Sequence, residues 1–246
     1  LFFILGKSLS KEGKPDEQFE NKVRTGLIIT ALIYLFVSII LIIFASPLVK
    51  FMAQDDSLVD ATVDYIRLET VAALFSTLSR FIMLVLVTLK KDKYMYITLG
   101  VQMVLSIVLD TFLISNFSFS AKLGVNGIAL ANIIVNIVIL SIAVLLLYRE
   151  NIKVMRRCKL SFNWMKDWFR VGKYSGLESF LRNLVFMIMI VRMVNVVAEQ
   201  GNYWVANNFI WQWLLLPGLA LADLVKKEIG ENQNNIKDKT YGYIVL

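Results

Sequence analysis

The sequence has no histidine and a single cysteine, Cys158. Histidine is the commonest metal ligand and the side chain that most readily gains and loses a proton near neutral pH, so histidine-based metal sites are excluded. One cysteine excludes a disulfide within the chain. No paired acid/base motif compensates for these absences, which argues against an enzyme. We therefore predict no catalytic residues, no metal site and no bound cofactor.

Charge is also scarce. Only 18% of the residues are charged, whereas 57% are hydrophobic, and the mean hydropathy is +0.64. Apolar runs long enough to cross a bilayer recur along the chain, and they are apolar on all sides, unlike the helices of a soluble bundle. The fold class predicted is all-α, a polytopic transmembrane helical bundle.

Six membrane spans are predicted from these runs. Leu1–Leu5 looks like the end of a further helix, and a new apolar run begins near Tyr243, so the sequence is interpreted as a fragment with no signal peptide. The six spans are expected at about 25–49, 62–89, 94–115, 124–148, 171–197 and 203–224.

The net charge of +7 is unevenly distributed between the loops. Alternate loops hold most of the lysine and arginine, whereas the intervening loops carry only Lys50 and Lys122. By the positive-inside rule, the basic loops and both ends of the chain face the cytoplasm. The expected partner is the bilayer, in the cell membrane, and not nucleic acid. The basic loops are 6–24, 90–93, 149–170 and 226–239.

The fifth span carries three charges on one stripe. Arg182 and Arg192 each lie about 40° around the helix from Glu178, on opposite sides of it. Charged groups at bilayer depth face the bundle interior or a wet cavity and are candidates for function. For Glu178 two interpretations stay open: a proton or cation site, or an i,i+4 pair with Arg182 that only neutralises both charges.

The sixth span has a comparable polar face with Asn208 and Gln212, and Pro217-Gly218 predicts a kink in it. In the second to fourth spans, Glu69, Arg80 and Asp110 are predicted to be structural polar residues inside the membrane. Glu69 and Arg80 lie three turns apart and each needs a partner on another helix or in water.

Short motifs carry a family resemblance. Asp110 precedes aliphatic residues near a helix end, and the next helix opens with Leu-Gly-Val-Asn-Gly-Ile-Ala-Leu-Ala at Leu123–Ala131. The fifth span begins with Gly172-Lys-Tyr-Ser-Gly-Leu and has Phe186 further on. Ala61, Tyr65, Ile66 and Arg67 open the second span. In these features the chain resembles the multidrug and toxic compound extrusion (MATE) family of drug/cation antiporters.

The resemblance implies a transporter of twelve helices in two lobes, of which this chain covers the end of the second helix to the eighth. Residues 1–148 would end the N-terminal lobe, 149–170 would form a cytoplasmic amphipathic linker, and 171–246 would start the C-terminal lobe. It also implies export of hydrophobic or cationic small molecules in exchange for Na⁺ or H⁺. The candidate transport and coupling residues are then Glu178, Arg182, Arg192, Asn208 and Gln212.

Two positions depart from the family pattern. Tyr174 stands where the family usually has proline, and Arg182 stands where many members have an acidic residue, with Glu178 one turn earlier. Since arginine neither binds Na⁺ nor loses its proton, Glu178 is the candidate for coupling. Intramembrane arginines also suit a phosphate headgroup, so a lipid-linked oligosaccharide or lipid flippase of the same superfamily is the alternative. A non-transporting subunit stays open as well.

Overall fold

The structure is a computed structural model, and it describes residues 17–52, 59–150, 152, 160–192 and 200–222. These residues are helical apart from short turns, and no strand occurs among them. The all-α fold class is therefore confirmed. The described residues up to Trp164 form one compact unit, called here the first unit, and those from Met165 onward form the second unit.

The first unit contains four long helices: α1 (Glu17–Phe51), α2 (Val59–Thr88), α3 (Lys93–Leu113) and α4 (Gly124–Arg149). Each is long and apolar enough to cross a membrane. In hydrocarbon the chain can satisfy its backbone N–H and C=O groups only internally, which is why apolar runs of this length become helices. These four helices correspond to the first four predicted spans, and the protein is an integral membrane protein.

Helix α1 is longer than the predicted span. Residues 17–24, predicted as part of a polar loop, form its first two turns and bury Phe19 and Val23. Two apolar side chains four residues apart lie on the same face of a helix. The charges of Glu17, Glu20 and Lys22 concealed this pattern in the sequence.

The core of the first unit lies along α2, which packs most extensively against α4 and also contacts α1. Helix α4 buries one side chain every four residues over its whole length, and several of these are small. Such a row lets two helix axes approach closely. The buried residues of this row are Gly127, Ala131, Val135, Ile139, Ala143 and Leu147.

Much of the remaining apolar surface of the first unit is exposed. Leu32 and Phe36 on α1 are 60% and 65% exposed, and Met103 on α3 is 64% exposed. Large apolar side chains exposed along whole helices are expected where lipid replaces water as the solvent.

The second unit contains α5 (Met165–Arg192) and α6 (Gln200–Phe209). Helix α5 begins inside the predicted linker, whose residues 153–159 lie outside the described part of the chain. The predicted spans 171–197 and 203–224 also run into residues outside it, as do Leu1–Leu5 and the tail from 223. The count of six spans and the division into lobes therefore stay predictions.

Helix α6 does not continue straight. It passes into a π-helical turn, Ile210–Leu214, pauses at Leu215, and resumes as a helix over 216–222. The Leu215 N–H donates to Ile210 O at 2.9 Å, five residues back, and the Leu219 N–H donates to Leu215 O at 2.9 Å. Pro217 has no N–H to donate to the preceding turn, so the regular ladder stops there. The interruption lies where the sequence predicted a kink.

Candidate functional site

Intramembrane polar side chains of the first unit bond mostly to their own helix. Thr70, Ser79 and Thr111 each donate to the backbone carbonyl four residues earlier, at 2.6, 2.8 and 2.7 Å. Hydroxyl groups satisfied in this way need no partner on another helix. They do not form a site.

Glu69 behaves differently. Its side chain is half-buried on α2, and its Oε2 accepts a hydrogen bond from Asn132 Nδ2 on α4 at 2.9 Å. Asn136 donates from Nδ2 to the Asn132 carbonyl at 2.8 Å, one turn along the same helix. Helix α4 packs extensively against α2, and this packing brings the amide within reach of the carboxylate. A carboxylate thus meets a neutral amide between two membrane-spanning helices.

The other two polar residues predicted to be structural in these helices are exposed. Arg80 lies on the same stripe of α2 as Glu69, eleven residues further along, and its side chain faces outward from the unit. Asp110 is exposed near the end of α3. Within the described ranges no ion pair involves either residue, so the structure gives Glu69 an interhelical partner and leaves Arg80 and Asp110 on the surface of the unit.

The candidate transport residues lie in the second unit. Glu178 and Arg182 are both exposed on α5, one turn apart, and Asn208 is exposed near the end of α6. Among the residues that the structure describes, no ion pair joins Glu178 to Arg182. The side chains of Arg192 and Gln212 lie outside the described part. Their placement on the stripe with Glu178 and on the face with Asn208 therefore stays a prediction.

Aromatic side chains connect the two helices of the second unit. The ring of Phe186 on α5 lies 5.8 Å from that of Trp204 on α6, edge to face, and 6.5 Å from that of Tyr203. Edge-to-face contacts are favourable because the positive ring edge meets the negative ring face. Phe186 is one of the residues on which the family resemblance was based.

In the first unit, polar side chains connect the helix ends that lie next to the basic loops. Lys91 Nζ lies 3.0 Å from Glu150 Oε2, and the Tyr94 hydroxyl donates to Glu150 Oε1 at 2.9 Å. Trp164 Nε1 donates to Thr25 Oγ1 at 2.8 Å, and the backbone N–H of Ser161 donates to Asn21 Oδ1 at 3.3 Å. The start of α1 therefore contacts residues 161–164, and the α2–α3 turn contacts the end of α4.

The contacts of Glu150 shift its titration. Burial by itself would raise its pKa, but hydrogen bonds from Lys91 and Tyr94 and the positive charges of Lys91 and Arg149 outweigh burial, so the pKa of Glu150 is lowered. The carboxylate is thus held ionised beside the basic turn. The sequence alone does not predict this contact, because Lys91 and Glu150 are far apart in the chain and come together through the packing of α2 and α3 against α4.

Comparison with known proteins finds a family match over part of the chain. Residues 13–112 match the MatE family model, so the match includes α1, α2 and nearly all of α3. It contains the motifs at Ala61–Arg67 and at Asp110, whereas Leu123–Ala131 and Gly172–Phe186 lie beyond it. No curated protein and no solved structure matches the chain. The four apolar helices and this match together lead to one conclusion: residues 13–112 of this integral membrane protein are similar to the MatE family of transporters.

Proposed function

We propose that the protein is a secondary active efflux transporter that exports hydrophobic or cationic small molecules in exchange for Na⁺ or H⁺. The observation that supports this most directly is the family match across three consecutive membrane-spanning helices. The proposed location is the cell membrane, with the basic loops on the cytoplasmic side.

Glu178 is the proposed coupling residue. It is an exposed carboxylate on α5 without an ion-pair partner in the described part of the chain. Such a group can bind and release a cation without first breaking a salt bridge. In the proposal, Arg182, Arg192, Asn208 and Gln212 line the substrate path beside it, and the break before Pro217 allows α6 to bend.

The test is transport in proteoliposomes. Efflux of a fluorescent cationic dye is followed under an imposed Na⁺ gradient and then a proton gradient. We expect Glu178→Gln to lose gradient-driven efflux, because the neutral amide has no negative charge to balance a bound cation. Asp167→Asn is the matched control, since Asp167 is also an exposed acid of α5 but lies in its first turn. Unchanged efflux in Glu178→Gln would show that coupling occurs elsewhere.

A lipid-linked oligosaccharide or lipid flippase is the second candidate. The observation that favours it is the exposure of Arg80 and Arg182 on helices of the two units, with no ion pair to either in the described residues. A guanidinium group binds a phosphate through two parallel hydrogen bonds. Movement of a fluorescent lipid-linked phosphate that depends on Arg182, in the absence of dye efflux, would support this candidate over the drug exporter.

A further inference from the structure

Three exposed cations lie where the α2–α3 turn meets the end of α4. Lys93 is the first residue of α3 and Arg149 is the last residue of α4. The Tyr94 hydroxyl donates to Glu150 Oε1 at 2.9 Å and thereby joins these two helix ends. Lys90 lies in the turn itself, and among the residues that the structure describes none of the three cations forms an ion pair. Lys90, Lys93 and Arg149 are called here the cation cluster.

The carboxylates of this region neutralise the positive charge only in part. Glu150 already has a counter-ion of its own, since its Oε2 lies 3.0 Å from Lys91 Nζ. Asp92 is the other acid in the turn. Positions 90–93, 149 and 150 together hold four cations and two carboxylates, which leaves a surplus of two positive charges. This end of the helices therefore attracts an anion.

The basic residues at the start of α1 are less accessible than the cation cluster. Arg24 is buried, with 6% of its surface exposed, and Lys22 is half-buried. Long basic side chains at exposed helix ends extend their charged groups to the headgroup level of a bilayer. In the described part of the first unit, the cation cluster is therefore the group of basic side chains best placed to meet lipid headgroups.

Below Lys93, α3 presents an uninterrupted apolar face to the bilayer. This face consists of the four residues that follow Lys93 within about 40° around the helix: Ile97, Gly100, Val104 and Ile107. The three side chains are 56%, 59% and 58% exposed. Nothing lies within 4 Å of a Cβ at Gly100, so the face has an open place between its larger side chains.

The polar residues near this face are arranged as at a membrane surface. Gln102 and Asp110 lie elsewhere around α3, about 180° and 100° from Lys93. Tyr96, one turn along α3 from Lys93, is 68% exposed, and Tyr148, next to Arg149, is 37% exposed. Tyrosine is enriched at the headgroup level, where its ring meets hydrocarbon and its hydroxyl meets water. The cation cluster therefore lies at headgroup level, with the apolar face at hydrocarbon level beneath it.

We infer that the cation cluster and the apolar face of α3 form a binding site for one anionic phospholipid. Its phosphate lies at Lys90, Lys93 and Arg149, and an acyl chain lies along α3 at Gly100. Guanidinium binds phosphate through two parallel hydrogen bonds, and the ammonium groups act as point charges. The loop charges predict that this end is cytoplasmic, and the cytoplasmic leaflet is the one that carries anionic lipid. The inference goes beyond the proposed function, because it does not depend on what the protein transports.

Lipid titration of the purified protein tests the headgroup part of the site. The protein is delipidated in a neutral detergent and titrated with phosphatidylglycerol, and bound lipid is counted by native mass spectrometry. We expect one phosphatidylglycerol to be retained per chain, and phosphatidylcholine to bind more weakly. Lys90→Gln, Lys93→Gln and Arg149→Gln should each weaken phosphatidylglycerol binding about fivefold, as expected for the loss of one charge near the headgroups.

Three further variants separate a defined site from general attraction between a basic protein and an anionic lipid. Lys166→Gln removes an exposed cation from the first turn of α5, and Lys50→Gln removes one from the last turn of α1. Neither should change phosphatidylglycerol binding, and losses equal to that in Lys93→Gln would overturn the inference. Lys93→Arg keeps the charge and should bind as the wild type does. Weakened binding in Lys93→Arg, with unchanged thermal unfolding, would contradict recognition by charge.

Photolabelling tests the apolar part of the site. A phosphatidylglycerol with a photoactivatable diazirine in one acyl chain is bound at the single high-affinity site, and the adducts are located by mass spectrometry. We expect adducts between Ile97 and Ile107, and fewer of them in the Lys93→Gln variant. Adducts confined to other helices would overturn the inference. Complete displacement of the lipid by millimolar inorganic phosphate would also overturn it, since the cations would then bind a soluble anion without help from the apolar face.

Discussion

At the scale of single residues, the described polar groups of the membrane helices fall into two kinds. Serine and threonine hydroxyl groups donate hydrogen bonds to backbone carbonyls of their own helix, as Thr70 does to Ile66 O at 2.6 Å. Glu69 has no such local solution, because a carboxylate accepts hydrogen bonds and the carbonyl groups of its own helix offer none. A carboxylate within the membrane therefore requires a partner on another helix, which Asn132 provides.

Backbone conformation gives a residue-scale prediction at Lys90. This residue follows α2 and has a φ of 59°, in the left-handed region. The Lys90 N–H donates to Val87 O at 2.9 Å, and the Lys91 N–H donates to Leu86 O at 3.0 Å. These two hydrogen bonds are typical of a helix that ends at a left-handed residue. Lys90→Gly should raise the free energy of unfolding by about 1 kcal/mol, because glycine adopts this φ without strain. Thermal unfolding in detergent measures it.

Lys93→Gly is the matched control for that prediction. It removes the same charge from the same turn, but Lys93 is the first residue of α3, where glycine costs stability. Equal effects of the two substitutions would mean that charge, and not backbone conformation, is responsible.

At the scale of helices, the α3–α4 connection depends on the absence of a side chain at Gly127. A Cβ there would lie 3.2 Å from Leu113 O, a backbone atom, and 3.1 Å from Leu123 Cβ. Gly127→Leu should therefore lower the free energy of unfolding by about 1–3 kcal/mol. Gly100→Leu is the control, because nothing lies within 4 Å of a Cβ at Gly100. Chemical denaturation of the two variants in detergent should separate them, and similar losses would contradict the packing argument.

The contact of Lys91 and Tyr94 with Glu150 predicts a dependence of stability on pH. Since the pKa of Glu150 is lowered in the folded protein, its contribution is complete above the ordinary glutamate pKa, about 4.3, and is lost as pH falls through the folded value. Glu150→Gln should cost about 1 kcal/mol at neutral pH, and the difference from wild type should vanish in acid. Unfolding midpoints measured at decreasing pH from 7 check this, and a difference from wild type that does not shrink as the pH falls would exclude the ionised contact as its cause.

The sequence predicts an element well where its composition alone determines the structure, and poorly where packing between helices determines it. Apolar runs alone place the end of α1 and both ends of α2, α3 and α4 within a few residues, because lipid leaves a chain of that composition no other structure. The first two turns of α1 were missed, since Phe19 and Val23 stand among charged residues. The Glu69–Asn132 pair could be anticipated only in part, because its geometry depends on how α4 packs against α2.

At the scale of the whole molecule, the basic loops indicate how the helices are oriented in the membrane. In the first unit, contacts join the start of α1 to Trp164 and the α2–α3 turn to the end of α4. These segments belong to the loops that the charge distribution assigns to one side of the membrane. The loop between α3 and α4, residues 114–123, contains Lys122 as its single charge and closes the opposite ends of those helices.

The single cysteine allows this orientation to be tested with the native sequence. Cys158 lies outside the described residues, in the basic segment predicted to be cytoplasmic. A membrane-impermeant maleimide should leave Cys158 unlabelled in intact cells and label it in inverted vesicles or after permeabilisation, because the positive-inside rule places this segment inside. In a Cys158→Ser background, Ser118→Cys in the exposed 114–123 loop should show the reverse, with labelling in intact cells. Labelling of both positions from the same side would refute the alternating arrangement of spans on which the proposed transport path depends.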